Sequence, residues 1–195
     1  MNRPQWKRLP TWVVAFCLLA SGCVRQAVVA DEAATRARDR ERAAEEMLTS
    51  ARNLLEAGDF GRAEQYAEFA ARNGAKAEAV VPLVLEACIR DQRFRAAVEH
   101  GRYHLKRHPS DDAVRLLVAS IHGVLGEPDL ARREFERVIE DHPDWAQAHY
   151  SLAVLLRDEV GDFSAADAHF REYLRLAPEG AHRAEAAGSL LSRVE

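Results

Sequence analysis

An all-α solenoid of stacked helix-turn-helix repeats is predicted by three features of the chain. Ala75, Pro109 and Pro143 stand 34 residues apart and each closes a segment. Ala63, Ala97 and Ala131 keep the same step, as do Ala51, Leu85 and Ala119. A fourth copy follows with one extra residue, carrying Pro143 on to Pro178 and Ala131 on to Ala166. A fixed period of this length with a small–aromatic–proline pattern marks units that bury their apolar faces only by stacking. Such a fold works through surfaces rather than through a catalytic cleft.

Residues 1–22 lie outside that pattern. Arg3, Lys7 and Arg8 form a basic region, Thr11 to Ala20 an apolar one, and Ala20, Ser21 and Gly22 lead to Cys23. This is the layout of an export signal, and its apolar run is shorter than the roughly 20 residues a membrane span needs. Leu19-Ala20-Ser21-Gly22-Cys23 resembles the broad form of the lipobox of bacterial lipoproteins. The resemblance implies lipidation of Cys23, and Val24, where Asp would signal inner-membrane retention, implies the periplasmic face of an outer membrane. Cys17 is a poor rival because Phe16 precedes it. The alternative is an ordinary cleaved signal followed by a coincidental cysteine.

Residues 23–43 are expected to join the anchor to the repeats: Val24 to Ala30 as a spacer, then a helix opened by Asp31 as N-cap. The stretch from Thr35 to Arg42 is charged or small, which predicts a solvated extension. Its block-like charge is also compatible with disorder.

The repeats are expected at 44–77, 78–111, 112–145 and 146–180. Each opens with a helix whose eighth residue is small where its partner crosses closely: Ala51, Ala119 and Ala153, with Leu85 the exception. Gly58, Gly126 and Gly161 mark the turns, and Phe60, Phe94 and Phe163 follow as expected wedges between helices. Ala63, Ala97, Ala131 and Ala166 allow close packing in the second helix. Phe135 and Phe170 fill the position four residues on, where repeats one and two carry Ala67 and Gly101. Proline ends a unit because it cannot continue a helix. Pro82 predicts a short or offset first helix in repeat two. Residues 181–195 are expected to form a capping helix from Ala181 to Val194, with Ala184, Ala187, Leu191 and Val194 on its apolar face.

GEPDLARREFERVIEDHP and GDFSAADAHFREYLRLAP carry this pattern nearly in full. The region 44–180 resembles the tetratricopeptide-repeat (TPR) family, which implies a right-handed TPR solenoid with a C-terminal capping helix. In that family the first helix of each repeat lines a concave binding face. Repeat one then offers Leu48, Arg52 and Leu55, and repeat two Glu86 and Ile89. Repeat three offers Leu116, Ser120 and Val124; repeat four offers Gln147, Tyr150, Val154 and Arg157. An apolar groove of this kind implies a protein partner, a helix or an extended segment. The Asp31–Arg42 extension or the final helix could instead cover part of the groove. Small lipoproteins with these repeats resemble the pilotin-type factors of type IV pili and the lipoproteins of tight-adherence secretion systems. The resemblance implies a scaffold for an envelope machine of the pilus, secretion, outer-membrane or cell-wall type.

Composition narrows the alternatives. Lys and Arg number 27 against 31 Asp and Glu, for a net charge of −4. Loss of a leader with three basic residues and no acid makes the remainder more acidic, which disfavours nucleic acid. Membrane attachment would then come from the acyl chains of Cys23. Cys88, the one mature thiol besides Cys23, falls at a buried position in the register and reads as a small core residue.

No nucleotide, nucleophile or metal motif emerges, and neither a cofactor nor an enzymatic activity is predicted. The ladder His100, His104 and His108 in HGRYHLKRHP offers a second reading, a metal-binding or enzymatic accessory protein centred on His100 and His104. The register favours packing for His104 and a fraying helix end for His108, and His122 and His149 replace aromatic rings. A carrier of apolar small molecules is a third reading.

Overall fold

Four helix pairs and a short closing helix realise the 34-residue period. The computed structural model describes residues 11–191, with side chains from residue 31 onward. The N-terminal basic residues, the side chain of Cys23 and Val194 therefore lie outside the described residues. The pairs are α1 (Thr11–Glu56) with α2 (Phe60–Arg72), α3 (Ala77–Arg90) with α4 (Phe94–Leu105), and α5 (Asp112–Val124) with α6 (Pro128–Asp141). The fourth is α7 (Ala146–Leu155), extended by a π-turn over Leu156–Val160, with α8 (Phe163–Leu176); α9 (Arg183–Gly188) closes the stack. Each pair packs on the next through α2–α3, α4–α5, α6–α7 and α8–α9. The chain is all-α among the described residues.

Turn chemistry sets the pairs. Asp59, Asp111 and Asp162 cap α2, α5 and α8, each side chain accepting from the backbone N–H three residues on. The chain leaves the first helix of repeats one, three and four through Gly58, Gly126 and Gly161, at φ of 79°, 70° and 77°. Repeat two makes the same left-handed turn at Gln92, φ 59°. A side chain there costs about 1–2 kcal/mol relative to glycine.

Two large apolar clusters run along the stack, with a third, smaller one of Leu55, Ala63 and Ala87. The first gathers Leu48, Ala51, Ala67, Val84, Leu85, Cys88, Ala97 and Val118. The second gathers Ala119, Ala131, Phe135, Leu152, Ala153, Leu156, Ala166 and Phe170. The alternation of small and aromatic residues read from repeats three and four is thus the physical core of that half. In the first half the large residue is Leu85, fully buried beside Gly101.

The extra residue of repeat four has a definite place. Ala119 to Ala153 is a step of 34 and Gly126 to Gly161 a step of 35, so the insertion falls between Ala153 and Gly161. The π-turn occupies that interval. One π-turn takes up one residue more than an α-turn, and such bulges recur at functional sites.

Several expectations are corrected. Pro82 does not shorten α3, which runs 14 residues from Ala77 and carries Pro82 inside its second turn, where the missing N–H forfeits one helical bond. Val24 to Ala30 is helical backbone within a continuous α1, so Asp31 is not an N-cap. No Gly or Pro interrupts residues 23–57. The charged extension is solvated, with Glu32–Arg36 paired one turn apart, and burial begins at Ala44.

The closing helix has six residues rather than the expected fourteen, and it presents another face. Ala184, Ala187 and Leu191 are exposed, while Ala186 is buried and His182 and Leu190 are half-buried. The turning point is His182, whose ring stacks on Tyr150 (4.0 Å between centroids) and whose N–H donates to the Tyr173 hydroxyl. Phe60 lies under Arg90 and Phe94 packs on the first cluster, but Phe163 is 58% exposed.

Candidate functional site: the cleft between α5 and α7

The twelve residues expected on the concave face do not share one fate. Leu48 and Leu55 are not surface residues at all; each is 3% exposed and belongs to the core. A leucine at these positions is drawn in because α2 and α3 pack against α1 from two sides. Arg52, Glu86 and Gln147 are exposed, but Arg52 reaches Glu45 and Glu86 reaches Arg90, both pairs in solvent. Ile89 and Leu116 are half-buried and support the clusters beneath them.

Ser120, Val124, Tyr150 and Val154 converge. With Gly123, Ser151 and Leu155 they line an open cleft of about 310 Å³ between α5 and α7. Its apolar side is unusual in its exposure: Val124 leaves 65% of its surface in solvent. Ser120 and Val154 hold equivalent positions of consecutive first helices, 34 residues apart, with Val124 one turn after the former and Tyr150 one turn before the latter. The same register reaches Asp158 in repeat four but missed Glu159; the two complete the rim from the π-turn. A regular helix pattern carries no signal for side chains displaced by an inserted residue.

Charge is distributed unevenly around this rim. Asp158 is held by Arg157 in a two-armed pair at 2.6 and 2.9 Å, which lowers its carboxyl below the usual range. Arg157 also reaches Glu185 at 3.1 Å and Ser189 at 2.6 Å on the closing segment. Glu185 accepts from the Tyr150 hydroxyl at 2.6 Å, and that bond together with Arg157 holds its carboxyl low. Burial and the same Glu185 push the Tyr150 hydroxyl up to about 12. Tyr150 and Arg157 are thereby committed to α9, which covers the C-terminal end of the face. The Asp31–Arg42 extension does not: Ala37, Arg40 and Glu41 border the end of α2 instead.

The histidine ladder is split. His104, 4% exposed, meets Asp111 at 2.7 Å, and His108 stacks on it at 4.5 Å. His100 turns the other way, its Nε2 lying 3.2 Å from Glu64 of α2. The pair His100 and His104 therefore shares no ligand site. His122 and His149 are buried, as expected of rings replacing rings, and each has a partner: Glu127 at 2.7 Å, and the Pro143 carbonyl with His169, each at 3.0 Å. Burial, then the neighbouring His149, keeps His169 below the ordinary imidazole range.

No protein-family model matches the chain, and no curated protein sequence does. Solved structures do. YrrB, described as a TPR protein with an unusual peptide-binding site, superposes with a TM-score of 0.62 at 16% identity, over 75% of both chains. MamA from Desulfovibrio magneticus RS-1 gives 0.62 at 17%, over 75% of this chain and 90% of that one. A tetratricopeptide-repeat protein from Parabacteroides merdae gives 0.65 at 17%, over 76% of this chain and 59% of its own. With the helix pairs, turns and cores described above, these likenesses establish that the chain has the fold of the tetratricopeptide-repeat solenoids.

Proposed function

We propose that this protein is a lipid-anchored scaffold that binds a segment of another protein in the α5–α7 cleft during assembly of an envelope machine. The observation that carries the binding reading is Val124, an apolar side chain 65% exposed in the wall of a cleft flanked by Asp158 and Glu159. Asp158 is neutralised by Arg157, and Glu159, also exposed, adds a carboxylate to the same edge. The occupant that complements this surface is an apolar helix or strand with a Lys or Arg at one end. YrrB's described peptide-binding site supports the same mode for this fold.

Val124→Glu tests it without threatening the core. Partners recovered by crosslinking from cell envelopes should fall about tenfold or more, while Leu130→Glu on α6, at a 39% exposed position, should leave them unchanged. Equal recovery from both variants would exclude the cleft.

Location rests on Leu19-Ala20-Ser21-Gly22-Cys23. Cys23→Ser is expected to abolish palmitate labelling and release the chain from membranes, since each buried acyl methylene contributes about 0.8 kcal/mol to anchoring. Label retained on the variant would defeat the lipoprotein reading and leave the cleft untouched.

A further inference from the structure

The geometry points to a transition-metal site of the zinc type formed by Glu64, Cys88 and His100, which clasps α2, α3 and α4 together. The three side chains come from three successive helices, and their ligand atoms all lie within 4.8 Å of one another. Glu64 Oε1 is the hub: His100 Nε2 lies 3.2 Å away and the Cys88 Sγ–H donates to it at 3.7 Å. Tetrahedral zinc with its usual bond lengths separates nitrogen from oxygen by about 3.4 Å and sulfur from oxygen by about 3.5 Å. The two separations from Glu64 are thus within a few tenths of an ångström of coordinated ones. Cys88 and His100 lie within 4.8 Å of each other and must close further on a metal, toward which the 38% exposed His100 side chain can approach from the solvent side.

Ligand chemistry selects the ion. Thiolate, imidazole and carboxylate together suit zinc and its borderline-soft neighbours, not magnesium or calcium. Three protein ligands leave a fourth position for water, on the side where His100 borders an open crevice with Val84 and Tyr103.

The surroundings are arranged for such an ion. Arg93 donates to Glu64 Oε2 at 2.6 Å and leaves Oε1 facing the other two ligands, as an outer-shell partner does in known metal sites. The Arg93 charge is itself matched by Asp91 at 2.7 Å. Metal binding would release the Cys88 proton, giving Glu64, Asp91 and the thiolate three negative charges against Arg93. The remaining two are those a divalent ion cancels. Ligation requires the thiolate, so metal uptake and proton release at Cys88 are coupled.

The clasp joins repeats one and two. Repeats one and two lack the aromatic residue of Phe135 and Phe170, having Ala67 and Gly101 instead. The inference stands whether or not the α5–α7 cleft binds a partner.

The test is titration of the full chain carrying Cys17→Ser and Cys23→Ser, so that Cys88 is the one thiol, with zinc and with cobalt(II). One equivalent should bind, with a thiolate-to-cobalt charge-transfer band and tetrahedral visible absorption. A hundredfold excess of zinc over Kd should raise Tm by about 5 °C. Cys88→Ala should lose the band and at least a hundredfold in affinity. Glu64→Gln and His100→Ala, at less buried positions, should each lose a large part of the affinity and serve even where Cys88→Ala folds poorly. No binding would overturn the site. So would undiminished binding in Glu64→Gln and His100→Ala, which would place the metal on the remaining histidines.

Discussion

Replacing Leu85 by the alanine that its equivalents carry is expected to destabilise the solenoid by about 3 kcal/mol. By the repeat pattern the change restores the small residue of Ala51, Ala119 and Ala153. By the structure it removes the largest wholly buried side chain of the first cluster. Its Cδ2 lies 3.9 Å from where a Cβ on Gly101 would stand. The space beside Gly101 that a larger side chain would enter is taken first by Val118, with Val114 and Leu85 farther off. No neighbouring side chain is positioned to collapse into the void, since Val84, Cys88 and Ala97 are already packed. Urea denaturation measures the loss, and a change below about 1 kcal/mol would show that the cluster relaxes freely.

Gly101→Phe is the complementary error and should cost about 3 kcal/mol or more. It too moves the sequence toward the repeat pattern, matching Phe135 and Phe170. A Cβ alone at this position overlaps Cγ2 of Val118, which is 1% exposed on α5, and it comes within 3.8 Å of Val114. Valine is stiff at χ1 and cannot swing aside. The gain from removing glycine from a helix interior is only about 1 kcal/mol, so the clash decides the sign. Against a typical total of about 5–15 kcal/mol, either substitution consumes a substantial share of the fold's stability.

These two residues show what a single sequence reveals of a repeat fold. Period and residue size pointed to an all-α stack of paired helices, because each unit must present the same small and large surfaces to its neighbour. The pattern also revealed the inserted residue of repeat four, though not that a π-turn would absorb it and carry Asp158 and Glu159 to the cleft. Exchanges between positions are invisible at this level. Leu85 and Gly101 each break the pattern separately, and only the structure shows that both border the same tightly filled region with Val114 and Val118.

Buried charge was equally hidden. Arg115 is 8% exposed, donating to Glu134, to Asp112 and to the Pro109 carbonyl, yet it occupies an ordinary helical position. Cys88 read correctly as a core residue, but its proximity to Glu64 and His100 depends on three helices meeting. Of the expected groove, the part on α5 and α7 formed a cleft. The part on α1 became core, because position along a first helix does not say how closely the next pair approaches. The closing helix buries Ala186, one residue out of register with the expected apolar stripe, and His182 stacks on Tyr150 where it enters.

The most direct measurement is photocrosslinking in cells from residue 124, with residue 130 as the control. A photoreactive side chain at the exposed Val124 position projects from the cleft wall, whereas one at Leu130 projects from α6. The account predicts a discrete adduct from position 124, mapping to one apolar segment with an adjacent basic residue, and none from position 130. Adducts from position 130 with none from position 124 would contradict it.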